Sequence, residues 1–281
     1  SRLEMPYLRW QPSDIYSDRP NDGRLLVRID IDSREMERFK PDVGIVADAA
    51  EACRLLINKL ESGSTPTSSW QTEIPAAKMK ARELVQVVQP QLSYLDVIRD
   101  LLPRDGYFVP ELCQAGFASF YGFPVLRPRT YVSEGFQGTL GFGYSTGLGV
   151  KVANPDKVVV SISGDGGLMF SIQELATAAA YNIGLIAIVF NNDSFGNVRR
   201  DQIEKFDGRV SGSDLKNPDF VKLAESLGQV GVRVHNPTQL KHVLAKAIDE
   251  DKPTLIEIAV ERGSETSPWP FIQMNQAPES C

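Results

Sequence analysis

Two uninterrupted apolar runs dominate the middle of the chain. Residues 157–163 (Lys-Val-Val-Val-Ser-Ile-Ser) and 184–190 (Gly-Leu-Ile-Ala-Ile-Val-Phe) lack polar alternation, the pattern of strands buried on both faces of a parallel sheet. Between them Ser171-Ile-Gln-Glu174 matches a capping box, with Ser at N-cap and Glu at N3, and predicts a helix over 172–181. Upstream, a helix over 93–102 leads into a strand at 107–109. Downstream, Asn217 as N-cap with Pro218 at N1 predicts a helix over 219–227 closed by Gly228, and Asn236-Pro237 opens another to residue 249. A last strand covers 254–260, where Glu257 interrupts the apolar pattern and suggests an edge or a solvated face.

The first part of the chain is patterned differently. A strand at 25–31, a short strand at 43–47 and an amphipathic helix at 49–60, with Cys53, Leu56, Ile57 and Leu60 on one side, make an incomplete α/β unit. Ser, Thr and Pro then crowd a linker at 61–75. A polar helix over 76–88 follows and ends before Pro90. The segmentation is 1–62, 63–90, 91–265, and an irregular, proline-rich tail over 266–281.

Composition narrows the function classes without choosing one. A net charge of −6 offers no basic face for nucleic acid. No apolar run reaches the length of a membrane span, and Ser-Arg-Leu-Glu-Met-Pro at the start does not read as a signal peptide, so the expected location is cytoplasmic. Cys53, Cys113 and Cys281 are too few and too widely spaced for a disulfide framework or a zinc site. The two histidines, His235 and His242, fall before and inside a helix and read as structural or exposed, which leaves a Ser-His-Asp site without a base.

The candidate chemistry sits at the ends of the two buried strands. Gly164-Asp165-Gly166-Gly167 closes the first, and Asn191-Asn192 closes the second, with Asn192 27 residues after Asp165. Mg²⁺ takes about six oxygen ligands, a few of them from protein and the rest from phosphate and water. Asp165 offers a carboxylate oxygen, Asn192 an amide oxygen, and the backbone carbonyl of Ser194 is placed to be the third protein ligand. The glycines, with Gly196 further on, let backbone approach phosphate oxygens. In open α/β sheets, ligands bind at these carboxyl ends.

These two motifs, GDG followed by NN at this separation, resemble those of the thiamine-diphosphate (ThDP) enzymes, and the chain is most similar to their acetolactate-synthase branch. A second block supports the likeness: Gly138-Thr139-Leu140-Gly141-Phe142-Gly143, followed by Asn154-Pro155-Asp156-Lys157. Its glycine spacing does not fit the G-x-G-x-x-G of a nicotinamide site. The resemblance implies that Leu140 wedges beneath the cofactor and bends it into a V, that the Gly138 carbonyl meets the 4′-amino group, and that the Leu140 N–H meets a pyrimidine nitrogen. It implies ThDP and Mg²⁺ as cofactors and leaves FAD open. It further implies that residues 1–62 are the end of a Rossmann-like central domain, with 91–265 a doubly wound α/β domain holding the diphosphate. The expected partners are a 2-oxo acid, a pyrimidine-binding domain or subunit with the activating glutamate, and further copies in a dimer or tetramer.

The implied reaction is decarboxylation of a 2-oxo acid with carboligation to a second carbonyl compound. The alternatives are a simple decarboxylase of a benzoylformate-like acid and a non-catalytic cofactor-binding subunit or fragment. Phe195, Asn197, Arg199 and Arg200 follow the clamp and are candidates for substrate contact, since guanidinium pairs with carboxylate in bidentate fashion; solvated arginines are the plainer reading. The chain departs from acetolactate synthases at two places, with Asn197 where they typically carry Met and Asp201 where they carry Trp, and that Trp shapes the acceptor pocket. Glu111, at the end of the 107–109 strand, reads as a helix-start or surface residue. The chain by itself is expected to be catalytically silent, with an apolar surface around Gly138–Gly143; were it active, the activating carboxylate would be sought among Glu111, Glu134 and Glu174.

Overall fold

The computed structural model describes residues 25–39, 41–61, 70–135 and 138–272. The chain divides into two compact units, one formed by Ser1–Ala81 with Ile272–Cys281 and the other by Arg82–Phe271. Among the described residues, no helix is long and apolar enough to cross a membrane.

In the first unit β1 (Val27–Asp30) and β2 (Val43–Val46) pair in parallel, joined by the short helix α1 (Arg34–Phe39), and α2 (Ala49–Glu61) follows. Arg28 is buried and pairs with Glu35. On α2 only Ala52 is buried, and Leu56, Ile57 and Leu60 stay exposed. The expected apolar stripe therefore lies uncovered among the described residues, and Cys53 is exposed with it. Of the expected linker, Glu61 ends α2, residues 62–69 lie outside the described residues, and 70–75 form the start of α3 (Trp70–Val85).

The second unit is a five-stranded, wholly parallel sheet. Its strands are β3 (Tyr107–Pro110), β4 (Val159–Gly164), β5 (Ile186–Asn191), β6 (Val230–Val234) and β7 (Thr254–Ala259), in the spatial order β3-β4-β5-β7-β6. Period-two alternation splits the strands between two cores. Val160, Ile162, Ile186, Ile188 and Phe190 face one side, where α4 (Gln91–Leu101), α5 (Gln114–Gly122) and later α11 (Pro237–Glu250) supply Leu92, Leu95, Ala118, Leu240 and Leu244. Val159, Ala187 and Val189 face the other, against Tyr144 and Leu148 of α6 (Phe142–Ala153) and Leu168 of α7 (Asp165–Leu168). Leu175 of α8 (Glu174–Ala180) and Phe220 of α10 (Phe220–Ser226) complete that second core. Helices on both faces make the unit doubly wound, as the buried runs imply. The glycine face of α6 is what lets it lie close to β4: a Cβ on Gly143 would stand 2.7 Å from Ser163 Oγ and 3.0 Å from the Ile162 carbonyl oxygen.

Three local expectations are corrected. The capping box does not form: turns occupy 169–173, the helix begins at Glu174, and the Glu174 carboxylate accepts from Thr177 Oγ1 instead of reaching back. At 217–220 the cap is Asp219, whose side chain accepts from Lys222 N, which frees Asn217 for other partners. The second Asn-Pro pair behaves as expected, with Asn236 accepting from Gln239 N at 2.9 Å and Pro237 opening α11. Most consequentially, β7 is not at an edge. It lies between β5 and β6, and Glu257 is 2% exposed, held by Asn191 Nδ2 and Arg233 Nε, both at 2.8 Å. A charge inside an apolar run marked a buried, partnered carboxylate here, since an unpaired one would carry the full desolvation penalty.

Candidate functional site

Parallel strands deliver their following residues to one rim, and four adjacent strands do so here. Glu111 follows β3, Asp165 follows β4, Asn192 follows β5, and Glu265 comes after β7. A cavity of about 260 Å³ opens at this rim. Its walls include Leu140, Asp165, Asn192, Ser194, Phe195 and Asn197.

The clamp residues converge. Asp165 is 2% exposed, and its Oδ2 accepts from Ser194 N at 3.1 Å and Asn217 Nδ2 at 2.7 Å. Ser194 N also donates to Asn192 Oδ1 at 3.1 Å, and the Ser194 hydroxyl donates to the same oxygen at 2.8 Å. One backbone N–H thus gathers both proposed ligand oxygens. The turn that achieves this passes through Asp193 at φ +52, a left-handed conformation that Asp tolerates better than most residues. Burial raises the Asp165 carboxyl above its usual range, with the Asn217, Gly166 and Ser194 hydrogen bonds opposing and Asp193 adding to the effect. No ion pair of Asp165 occurs among the described residues. A buried carboxylate with neutral donors and no cation fits a hard divalent ion as the missing partner. Among the described residues, no group of three or more His, Cys, Asp or Glu is placed to hold a metal ion.

The glycines are held by packing. A Cβ on Gly166 would stand 2.3 Å from the Phe195 ring, and one on Gly167 would stand 1.8 Å from Glu111 Oε1. Gly164 and Gly196 line the cavity as well. Gly138 and Gly141 adopt φ of +62 and +83, and Gly141 caps α6 in the left-handed region. Thr139 is exposed and Leu140 half-buried on the cavity wall. Beside Gly141 lies Phe170, 62% exposed, and its chain neighbour Met169 is 41% exposed.

Glu111 is neither at the surface nor a helix start. It is 1% exposed and accepts from Gly143 N at 2.8 Å, Gly141 N at 3.1 Å and Ser163 Oγ at 3.2 Å. It therefore anchors the first turn of α6 and, with it, the loop that carries Leu140. A carboxylate at a helix N-terminus is favoured by its free N–H groups, but here burial dominates and raises the carboxyl, with Glu134 nearby adding to the effect. Glu134 is half-buried and Glu174 is occupied by Thr177.

The loop candidates divide. Phe195 and Asn197 line the first cavity, and Asn197 Oδ1 accepts from Trp269 Nε1. Arg199 and Arg200, on α9 (Gly196–Lys205), line a neighbouring cavity of about 220 Å³ with Arg262 and Glu265, and both are engaged. Arg199 pairs with Asp214 at 2.8 Å, while Arg200 donates to Ser267 Oγ at 3.0 Å and Gln114 Oε1 at 2.8 Å. Neither is a solvated arginine. Asp201 turns to Lys205 at 3.0 Å, away from the cavity walls. His235 and His242 are exposed, as expected.

Four site residues escaped the sequence reading. Asn217 binds Asp165, Asn191 and Asp193 at once. Glu265 accepts from Asn192 Nδ2, and burial raises its carboxyl. Gln114, 5% exposed, lines the cavity, and its Nε2 has no partner among the described residues. Cys113 caps α5 by accepting from Gly116 N at 3.3 Å.

The family model "Thiamine pyrophosphate enzyme, C-terminal TPP binding domain" matches residues 113–258, just over half of the chain. The acetolactate synthase large subunit of Haemophilus influenzae is 31% identical over 256 residues, covering 86% of this chain and 44% of that protein. The mitochondrial acetolactate synthase catalytic subunit of Aspergillus candidus is 34% identical over 229 residues, 78% of this chain and 33% of its own length. Among solved structures, a thiamine diphosphate-dependent 4-hydroxybenzoylformate decarboxylase from Rhodococcus jostii aligns with TM-score 0.68 and 25% identity, covering 85% of this chain and 44% of that one. The chain thus spans less than half the length of these relatives. With the match reaching from the start of α5 into β7 and taking in every residue of the Asp165–Asn192 clamp, the chain belongs to the thiamine pyrophosphate enzymes, as a bearer of their C-terminal cofactor-binding domain.

Proposed function

We propose that this chain supplies the diphosphate-binding part of a Mg²⁺–ThDP enzyme that decarboxylates a 2-oxo acid and joins the product to a second carbonyl compound. The observation that carries the reading is the convergence of the Asp165 and Asn192 oxygens on one Ser194 N–H, beside a cavity walled by Leu140. Asp165, Asn192 and the Ser194 carbonyl would hold the metal. Gly164, Gly166, Gly167 and Gly196 would admit the diphosphate, with Leu140 under the cofactor and the Gly138–Leu140 backbone against its pyrimidine. When bound, ThDP supplies an acidic thiazolium carbon and an electron sink for carbanion chemistry. The protein's task is then to bind, orient and exclude water. In this reading residues 1–62 close a central domain, a glutamate from a pyrimidine-binding domain completes the pocket, and exposed Phe170 beside Gly141, with its neighbour Met169, forms part of the surface that meets it.

A decarboxylase without carboligation is the second reading, favoured by Asn197 and Asp201. Asn197 is tied to Trp269, and Asp201 faces Lys205, so neither builds the apolar acceptor pocket that Met and Trp would. Product analysis by mass spectrometry, on the whole protein with Mg²⁺ and ThDP, decides between them. Pyruvate and a panel of 2-oxo acids should give 2-hydroxy-2-acyl products under the first reading and aldehydes under the second. No carbon dioxide release from any of them would refute both.

A further inference from the structure

Asn192 and Gln114 share an ambiguity that the fold resolves. Each carboxamide has an oxygen that suits a cation and an NH₂ that suits an anion, and each lines the same cavity while nearly buried, at 8% and 5% exposure. A rotation of half a turn about the last side-chain bond would exchange the two ends. What opposes it is a charged partner at each amide, helped at Asn192 by Ser194 N and Oγ, which both donate to Oδ1. Glu265 accepts from Asn192 Nδ2, which leaves Asn192 Oδ1 beside Asp165. Arg200 donates to Gln114 Oε1 at 2.8 Å, which leaves Gln114 Nε2 on the cavity wall without a partner among the described residues. Turned over, Asn192 would set its oxygen against a carboxylate and Gln114 its NH₂ against a guanidinium. Arg200 and Glu265 line the neighbouring cavity together and attract each other across it.

We propose that Glu265 and Arg200 are a pair of positioning residues that fix the polarity of two amides, Glu265 turning the Asn192 oxygen toward the metal and Arg200 turning the Gln114 N–H toward a diphosphate oxygen. Each acts through its amide, although Glu265 also borders the cofactor cavity. The proposal rests on the Mg²⁺–ThDP reading above and gives the free donor of Gln114 an acceptor, without which a buried N–H is costly. It also accounts for an arginine and a glutamate being held, half-buried, beside the two amides.

The test uses binding, read by calorimetry and by Mn²⁺ electron spin resonance on the whole protein, with Mn²⁺ in place of Mg²⁺. Glu265→Ala should weaken Mn²⁺ at saturating ThDP by roughly 10–100-fold, the usual cost of losing an outer partner of a metal ligand, and Glu265→Gln, which can still accept from Asn192, should recover most of it. Arg200→Ala should weaken ThDP at saturating Mn²⁺, and in a Gln114→Ala background the same change should have no further effect, as expected when one residue acts through the other. In an Asn192→Asp background, whose two carboxylate oxygens are equivalent, Glu265→Ala should not weaken Mn²⁺. Equal losses from Glu265→Ala in the parent and in the Asn192→Asp background, or additive losses from Arg200→Ala and Gln114→Ala, would overturn the proposal while leaving the cofactor reading intact. Failure of the unaltered protein to bind Mn²⁺ with ThDP would overturn both.

Discussion

Replacement of Glu111 by Ala removes a buried acceptor from three donors. Gly143 N, Gly141 N and Ser163 Oγ all point at it, at 2.8, 3.1 and 3.2 Å. The Ser163 hydroxyl can rotate to another acceptor, but the two backbone N–H groups cannot, because they belong to the first turn of α6 and have no intrahelical partner. A buried donor left unsatisfied costs about 1–3 kcal/mol. Gly143 is buried and Gly141 half-buried, so the second loss is partly met by water. Relief of the desolvated carboxylate offsets some of the remainder, leaving a net loss of about 2–3 kcal/mol. For a unit of this size that lowers Tm by roughly 4–12 °C. Scanning calorimetry on the whole protein measures it. The carboxyl also sets a sign with pH: because its folded value is raised above the unfolded one, the native state holds more protons between the two, and stability attributable to Glu111 declines as pH rises from the unfolded value through the folded one. Glu111→Gln should abolish that slope. An alanine variant within a degree of the parent, together with an unchanged pH slope in the glutamine variant, would show that Glu111 does not anchor the Leu140 loop.

Asp165→Ala should abolish Mg²⁺-dependent ThDP binding, and calorimetry showing binding as tight as the parent's would remove Asp165 from the metal site. Leu140→Ala should slow proton exchange at the thiazolium carbon while the diphosphate still binds; since Leu140 is only half-buried, the stability loss should fall below the roughly 2–5 kcal/mol of a core leucine, and unchanged exchange would make it an ordinary wall residue. Gly167→Ala drives a methyl group into Glu111 Oε1 and should lower Tm at least as much as Glu111→Ala, an outcome checked in the same calorimetric series. Asn217→Ala frees Asp165 and should weaken ThDP binding at limiting Mg²⁺ more than at saturating Mg²⁺, whereas equal effects would place Asn217 outside the clamp.

The sheet was legible because burial writes itself into sequence: β4 and β5 needed no more than their continuous apolar runs. That Asp165 and Asn192 come together at the rim was legible because each sits two residues beyond such a run. What sequence hid were groups whose partners are distant along the chain. Asn217 meets Asp165 across 52 residues, Glu265 meets Asn192 across 73, and Gln114 meets Arg200 across 86. No local periodicity encodes such pairs. Asn217 carried a misleading signal, since Asn before Pro is a good helix start and the equally good Asp219 two residues later took the role. Glu257 carried a true signal read in the wrong direction, and β6, with Arg233 facing it, was missed because its Val-Gly-Val-Arg-Val alternation is short and partly exposed. Capping at Ser171 failed because the chain first had to complete the turns after α7.

Glu257 has reach beyond its own strand. Asp219 binds Arg233, Arg233 binds Glu257, Glu257 binds Asn191, and Asn191 shares Asn217 with Asp165. A continuous line of polar contacts therefore runs from the β6 edge of the sheet to the clamp carboxylate, crossing β7 and β5 on the way. On the proposed reading, a metal ion would not have to assemble its ligands from a loose loop. Their conformational freedom would already have been surrendered in folding, so the far border of the sheet would contribute to affinity along with the oxygens that touch the metal.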